Sequence, residues 1–312
     1  MVRSRAYAWN HIGWAETVRE LREGSSQVSG HFVQGLKGKL LVVVRRPVEP
    51  TGSGFVLVVP PFAEEMNRCR RMLSDASIEL ARCGVGTVIP DLYGTGDSEG
   101  DFSDAAWSCW RDDLRCVNDW CCRCGDQISG VLGVRLGAAL AVDLEAREML
   151  PAVRCTVFWQ PVFDGSRFLS QFLRLRIAAG LMELDRRESQ DELRDQLRRG
   201  QTLEVAGYRL SGLLAADLEA IRPLDNLPDG LGEVHWMETV RDVASEMGAQ
   251  SARLVGQWTK AGRRIQTHRF LGEPFWASTE IVRIKEMVDA TTAALSRACH
   301  ERVADDRATI GL

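Results

Sequence analysis

Ile128-Ser-Gly-Val-Leu-Gly-Val-Arg-Leu-Gly-Ala-Ala-Leu140 is the stretch whose reading decides the fold. A short apolar run enters Gly133-Val134-Arg135-Leu136-Gly137, and an Ala/Leu-rich helix leaves it. This is the form of a nucleophile elbow, G-x-S-x-G, in which a sharp strand-to-helix turn lifts one side chain above a parallel sheet. Gly133 and Gly137 serve the turn, because a side chain at either place would meet a neighbouring strand or helix. The central residue here is Arg135 instead of a serine, cysteine or aspartate. A guanidinium stays protonated and has no lone pair with which to attack, so the elbow is expected to keep its geometry without its nucleophile.

Upstream of the elbow, Phe55-Val-Leu-Val-Val59 is a continuous apolar run of strand length, as expected for a strand covered on both faces. A loop follows, Pro60-Pro-Phe-Ala-Glu-Glu-Met-Asn67, and then a helix predicted from about Asn67 to Cys83 with Gly84 as its stop. Arg68, Arg70 and Arg71 at the start of that helix oppose its dipole unless an anion is near, and Glu64 and Glu65 are available. Gly86–Pro90 reads as the next strand, running into Asp91-Leu-Tyr-Gly-Thr-Gly-Asp-Ser98, a D-x-x-G-x-G-x-S turn. That turn is a weak phosphate cradle, because no helix opens on its glycines and no lysine follows. A helix capped by Asp104 and ending at Cys124 is predicted from the stripe Trp107, Trp110, Leu114, Val117, Cys121 and Cys124, spaced alternately by three and four. Two of the clustered thiols fall on that stripe and no paired ligands lie nearby, so core cysteines are expected and no metal.

After Cys155–Trp159, strands and helices have alternated since residue 55, which is the pattern of a doubly wound, mostly parallel sheet. The rhythm breaks from 160 to about 230. That segment carries Arg167-Phe-Leu-Ser-Gln-Phe-Leu-Arg-Leu-Arg-Ile177 and a charged helix from Ser189 to Arg199 with a Ser189/Glu192 capping box. It reads as an inserted helical lid. Acidic Glu183, Asp185 and Glu188 argue against a membrane-surface helix. The sheet resumes with Gly232–Glu238, a helix over about 242–261, a last strand Arg264–Phe270 and a helix over Ser278–His300. At the other end, His31–Val33 and Lys39–Arg46 look like two antiparallel strands, and residues 1–28 a polar extension before a domain spanning 29–312.

An α/β fold with the chain order of an α/β-hydrolase is therefore expected. In that order the acid follows the strand after the lid and the histidine follows the last strand. Glu238 occupies the acid place. The histidine place falls in Gly272-Glu-Pro-Phe-Trp276, which contains no histidine, with Glu273 nearest; His235 and His268 fall within strands. Phe62 and Leu136 are placed to give the two oxyanion-hole N–H groups. The candidate site is thus Arg135, Glu238, Glu273 and Glu65, with no cofactor. Arg135 is expected to form one charged unit with Glu238 and Glu273 at the C-terminal edge of the sheet, Glu65 being a third candidate.

These motifs, together with Val205-Ala-Gly-Tyr208, resemble the exosortase A system-associated hydrolase 2 family over residues 30 to 290. The resemblance implies an α/β-hydrolase fold and a bacterial cytoplasmic setting beside exopolysaccharide and PEP-CTERM protein-sorting genes. Nothing in composition or spacing points to exopolysaccharide. The chain has 312 residues, 45% apolar and 26% charged, with a net charge of −4, which leaves no footprint for nucleic acid. Its apolar runs are too short to span a bilayer, the basic N-terminal residues lack an apolar stretch after them, and nine cysteines without framework spacing favour a reducing compartment. Two functions are open: an atypical hydrolase acting on an ester, thioester or anionic substrate, with a carboxylate base and Arg135 holding the anion, or a non-catalytic protein binding a small molecule or acyl group in the old pocket. Arg135 as the member of a buried ion pair that shuts the crevice is the purely structural alternative. Oligomeric state is not encoded in any of these patterns.

Overall fold

The computed structural model describes residues 15–24, 26–49, 54–183, 188–242 and 244–310. Strands β1 (Ala15–Glu23), β2 (Ser26–Gln34) and β3 (Lys39–Pro47) form an antiparallel meander. The polar extension expected over 1–28 is therefore corrected: β1 and the start of β2 are strands of the main sheet, and residues 1–14 lie outside the described residues. An edge strand rich in polar residues lacks the apolar run that announces a buried one.

From β4 (Phe55–Val59) the chain alternates through α1 (Glu64–Arg82), β5 (Gly86–Pro90), α2 (Trp107–Arg123), β6 (Ile128–Val134), α3 (Gly137–Ala146) and β7 (Cys155–Trp159). An insertion then carries α4 (Gly165–Glu183), α5 (Gln190–Arg198), the short hairpin β8 (Leu203–Val205) and β9 (Tyr208–Leu210), and α6 (Gly212–Ala220). The alternation resumes with β10 (Glu233–Val240), α7 (Ala249–Lys260), β11 (Ile265–Leu271) and α8 (Lys285–Ile310). The nine strands run in the order β1-β2-β3-β5-β4-β6-β7-β10-β11, parallel from β5 onward. Every residue of β6 is buried, which suits a sequence whose one polar side chain is Ser129. One face of the sheet packs on α1 and α8, the other on α2, α3, α7 and the insertion, so apolar area is removed from water on both sides.

Several element boundaries moved for identifiable reasons. Helix α1 starts at Glu64, three residues before the expected Asn67, so both Glu64 and Glu65 lie in its first turn and complement the helix dipole. Asp104 does not cap α2. It ends a short 3₁₀ turn, Phe102–Asp104, and the Trp107 N–H is met instead by Asp217 Oδ2 of α6 at 2.9 Å. The stripe from Trp107 to Cys121 is buried as its spacing requires. The Ser189/Glu192 capping box on α5 forms with both of its hydrogen bonds. Asp185, one of the residues that argued against a membrane helix, lies outside the described residues. Among the described residues no helix is long and apolar enough to cross a membrane.

Candidate functional site

The elbow has the backbone its glycines foretold. Arg135 sits at φ +54°, a left-handed conformation that costs a non-glycine residue about 1–2 kcal/mol. It is held there because its N–H donates to Trp159 O at 2.9 Å while its own carbonyl accepts from Ala138 and Val162 at 3.1 and 3.0 Å. A Cβ on Gly133 would stand 2.8 Å from the Ala138 Cα, and one on Gly137 would stand 2.3 Å from the Val59 carbonyl oxygen. Both contacts are with backbone, so neither position tolerates a side chain without moving a strand or the helix.

The Arg135 side chain is turned to groups beside the elbow. Its Nε and Nη2 donate to Glu65 Oε1 at 3.1 and 3.0 Å, its Nη1 donates to the Gln160 carbonyl at 3.1 Å, and its guanidinium carbon lies 4.5 Å from the centre of the Trp276 ring. The two side chains are 9% and 18% exposed, so this is a buried pair whose stability depends on the completeness of its hydrogen bonding. It is incomplete on one side: Glu65 Oε2 is buried with no donor among the described residues. Burial raises the Glu65 carboxyl above its ordinary value, and Arg135 opposes that rise. The neighbouring Cys69 thiol is pushed far up by the same burial.

The charged unit expected of Arg135, Glu238 and Glu273 does not form. Glu238 is buried in the acid place, but it accepts from Trp236 Nε1 at 2.8 Å, the residue two positions earlier on the same face of β10. Glu273 is exposed and makes no contact with Arg135. The residue standing where a histidine would be is Trp276, whose ring covers the guanidinium. His268 is mid-strand and lies 3.0 Å from His235 Nδ1, with the two rings stacked, so neither histidine reaches the elbow. Of the expected partners only Glu65 touches Arg135, and Gln160 and Trp276 carry no such signal in the sequence. A carbonyl acceptor leaves no mark in sequence, and the cation–π contact of an arginine with a tryptophan 141 positions away (135 to 276) has no local signature either.

Beside this closed cluster is an open cavity of about 400 Å³. Phe62, Phe102, Trp107, Trp110, Leu136 and Leu140 supply its apolar wall, and Asn67, Arg70, Asp91 and Tyr208 its polar edge. Arg135 and Glu65 are not among its lining residues. Phe62 anchors the wall, with edge-on ring contacts to Phe102, Trp110, Phe168 and Phe172 at 5.1–5.8 Å. The tip of the β8–β9 hairpin leans over the cavity, where Tyr208 packs on Phe102 and its hydroxyl accepts from Asn67 Nδ2 at 3.3 Å. Asp91 is held by the turn it opens: its Oδ2 accepts from the Asp97 N–H, its carbonyl from Ser98 Oγ, and Arg70 lies 3.6 Å from Oδ1. Burial pushes its carboxyl up.

Phe62 and Leu136, the two residues expected to form an oxyanion hole, both line the cavity. Neither of their N–H groups donates a hydrogen bond to any described residue. They stand at the starts of α1 and α3, whose cap residues Ala63 and Leu136 provide no side-chain cap. A group left unsatisfied at a helix start is satisfied by water or by a ligand, and the local field there favours negative charge.

No protein-family model matches the sequence, and no curated protein matches it. Solved structures do match. The esterase Est1E from Butyrivibrio proteoclasticus, seen with ferulic acid, aligns over 88% of this chain and 99% of its own with 15% identity and a TM-score of 0.58. A thermostable carboxyl esterase from Bacillus coagulans, seen with glycerol, aligns over the same shares with 14% identity and a TM-score of 0.58. Carboxyl esterase 2 from Tuber melanosporum aligns over 95% of each chain with 12% identity and a TM-score of 0.54. At such identities the likeness speaks for architecture: the chain has the α/β-hydrolase fold.

Proposed function

We propose that this protein is a pseudo-hydrolase that binds a small molecule carrying an acyl or carboxylate group in the cavity over Phe62 and Leu136, without a nucleophile of its own. The observation that carries this reading is a separation. Arg135 is satisfied by Glu65, Gln160 and Trp276, while Phe62 and Leu136, whose N–H groups have no acceptor among the described residues, line a cavity to which Arg135 does not contribute. An atypical hydrolase with Glu65 as its base is less well supported, because Glu65 is buried against Arg135 and does not line the cavity. Glu238 and Glu273, the other candidate bases, are bonded to Trp236 and exposed, respectively. The motif resemblance to the exosortase A system-associated hydrolase 2 family belongs to the same proposal, with its bacterial cytoplasmic setting and its link to exopolysaccharide and PEP-CTERM sorting.

The test is binding against turnover. Ferulate and short-chain aryl esters are titrated while tryptophan fluorescence is read, since Trp107 and Trp110 line the cavity. Saturable binding is expected with no ester hydrolysis above background, together with no labelling by a fluorophosphonate, because no serine is placed at the elbow. Leu140→Trp, which fills the cavity from α3, should remove the binding. Ester turnover that Leu140→Trp abolishes would establish the hydrolase instead.

A further inference from the structure

The insertion holds a second concavity whose chemistry is the reverse of the first. It has a volume of about 550 Å³, and none of its eight lining residues is apolar. They include Arg167 and Arg174 from α4 and Arg222 from the segment after α6, against a single carboxylate, Asp164. Arg167, Gln171 and Arg174 recur at helical spacing on the face of α4 opposite Phe168, Phe172 and Leu173, which are buried. Arg167, Ser170, Gln171 and Arg174 of the motif therefore converge on this groove, while Phe168, Leu169, Phe172 and Leu173 serve the core.

The state of the three guanidiniums is informative. Arg167 is tied through Nη1 to the neutral Gln250 Oε1 at 3.0 Å, and Arg222 through Nη1 to carbonyl oxygens of Glu219 and Ile221, the latter at 2.8 Å. Arg174 makes no hydrogen bond or ion pair with any described residue. Asp164 is engaged in capping its own helix, accepting from the Arg167 N–H at 2.9 Å. A fourth arginine nearby, Arg194, is by contrast paired with Glu219. Two of the three groove arginines are thus oriented by neutral acceptors that leave their charge uncompensated. Like charges gathered on one concave surface repel one another unless an anion joins them, and planar guanidiniums match the oxygens of a phosphate.

We infer that this groove is a binding site for a phosphate monoester with a hydroxylated body, such as a sugar phosphate. The dianion would be held by Arg167, Arg174 and Arg222, and its hydroxyls by Gln171, Gln190 and Ser166. The absence of an apolar wall argues for a free polar ligand and against a lipid whose acyl chains need cover. This site is separate from the cavity over Phe62, so the two can succeed or fail independently.

Isothermal titration of the full chain with glucose 1-phosphate, and with glucose as control, tests the assignment. Saturable binding of the phosphate ester alone is expected, weakening as salt is added. The exposed substitution Arg174→Gln should lower the affinity ~10-fold, and Arg174→Gln with Arg222→Gln should abolish binding, while unfolding temperature and ferulate binding stay unchanged. Arg174→Lys, which keeps the charge and loses the fork, should fall between. A parallel arm measures co-sedimentation with phosphatidylcholine vesicles containing phosphatidic acid. Absence of saturable glucose 1-phosphate binding at millimolar concentration would overturn the proposal. Affinity undiminished in the double variant, or binding to vesicles alone, would overturn it equally.

Discussion

Leu136 separates two adjoining regions of unlike chemistry. On its N-terminal side, Arg135 is enclosed by Glu65, Gln160 and Trp276, with three of its nitrogens donating. On its C-terminal side, α3 opens without a side-chain cap onto a cavity lined by aromatic rings. The first region is charged and closed, the second mostly apolar and open. At the elbow position a guanidinium is held in an ion pair, because a buried guanidinium must find an anion. The N–H groups of Phe62 and Leu136 had no such compulsion, since backbone donors on a cavity wall remain open to water or a ligand. The elbow side chain and the backbone of the cavity wall thus have separate supports, and Arg135 does not line the cavity.

The strongest way to break the comparison is at the ion pair. Arg135→Met should destabilise the protein by ~3–5 kcal/mol, because Glu65 is left buried without its partner. The double variant with Glu65→Gln should lose less than the sum of the two single losses in denaturant unfolding. Arg135→Met combined with Glu238→Gln should simply add, as Glu238 bonds to Trp236. Additivity with Glu65 would mean that the pair does not form in solution.

Gly137→Ala strikes both regions at once, since its Cβ would press on the Val59 and Pro60 carbonyl oxygens at 2.3 and 2.5 Å. A cost of ~1–3 kcal/mol in unfolding free energy is expected, with loss of cavity binding because the α3 start must shift. A variant of unchanged stability and binding would contradict the close packing of elbow and β4. Trp276→Leu sharpens the comparison by removing the ring that covers Arg135 and packs edge-on against Phe275. A loss of ~1–2 kcal/mol is expected with cavity affinity unaltered, whereas a large drop in ferulate binding would show that the two regions are coupled.

The smallest effect is a slope with pH. Burial raises the Glu65 carboxyl above its ordinary value of 4.5, so the folded state holds this proton more tightly than the unfolded state does. Unfolding free energy therefore falls as pH rises through the window that starts at 4.5, the folded chain binding more protons there. Glu65→Gln should flatten that fall in thermal or denaturant titrations between acid and neutral pH. A wild-type slope unchanged in the variant would assign the dependence to another buried carboxyl such as Asp91, which burial pushes up, or Asp113, which burial pushes up to about 7.

Much of this architecture was legible in the chain because its causes are local. Gly133 and Gly137 announce the elbow through backbone crowding, Ser189 and Glu192 announce a helix start three residues apart, and the 3-4 spacing from Trp107 onward announces a buried face. Phe62 and Leu136 were placed in one cavity by chain order alone. Where a distant segment competes with a local signal, the reading went astray. Asp104 has the right chemistry to cap α2, yet Asp217 from the insertion does so, because packing of α6 against α2 brings its carboxylate to Trp107 N–H. Polar β1 carries no apolar run and so reads as an extension, yet it pairs along most of β2.

By itself the sequence determined that the sheet is doubly wound, that the elbow is kept, and that Arg135 cannot act as a nucleophile, for these follow from periodicity, glycine placement and the protonation of a guanidinium. Only the tertiary structure decided which anion Arg135 takes. By topology Glu238 and Glu273 are the expected partners and Glu65 a third candidate, all near one edge of the sheet. Charge pairing depends on ångström separations and on competing partners: Trp236 holds Glu238, solvent holds Glu273, and Glu65 at 3.0 Å is left. The tertiary structure likewise turned arginines from two segments of the insertion into one groove, a convergence set by the packing of α4, α5 and α6.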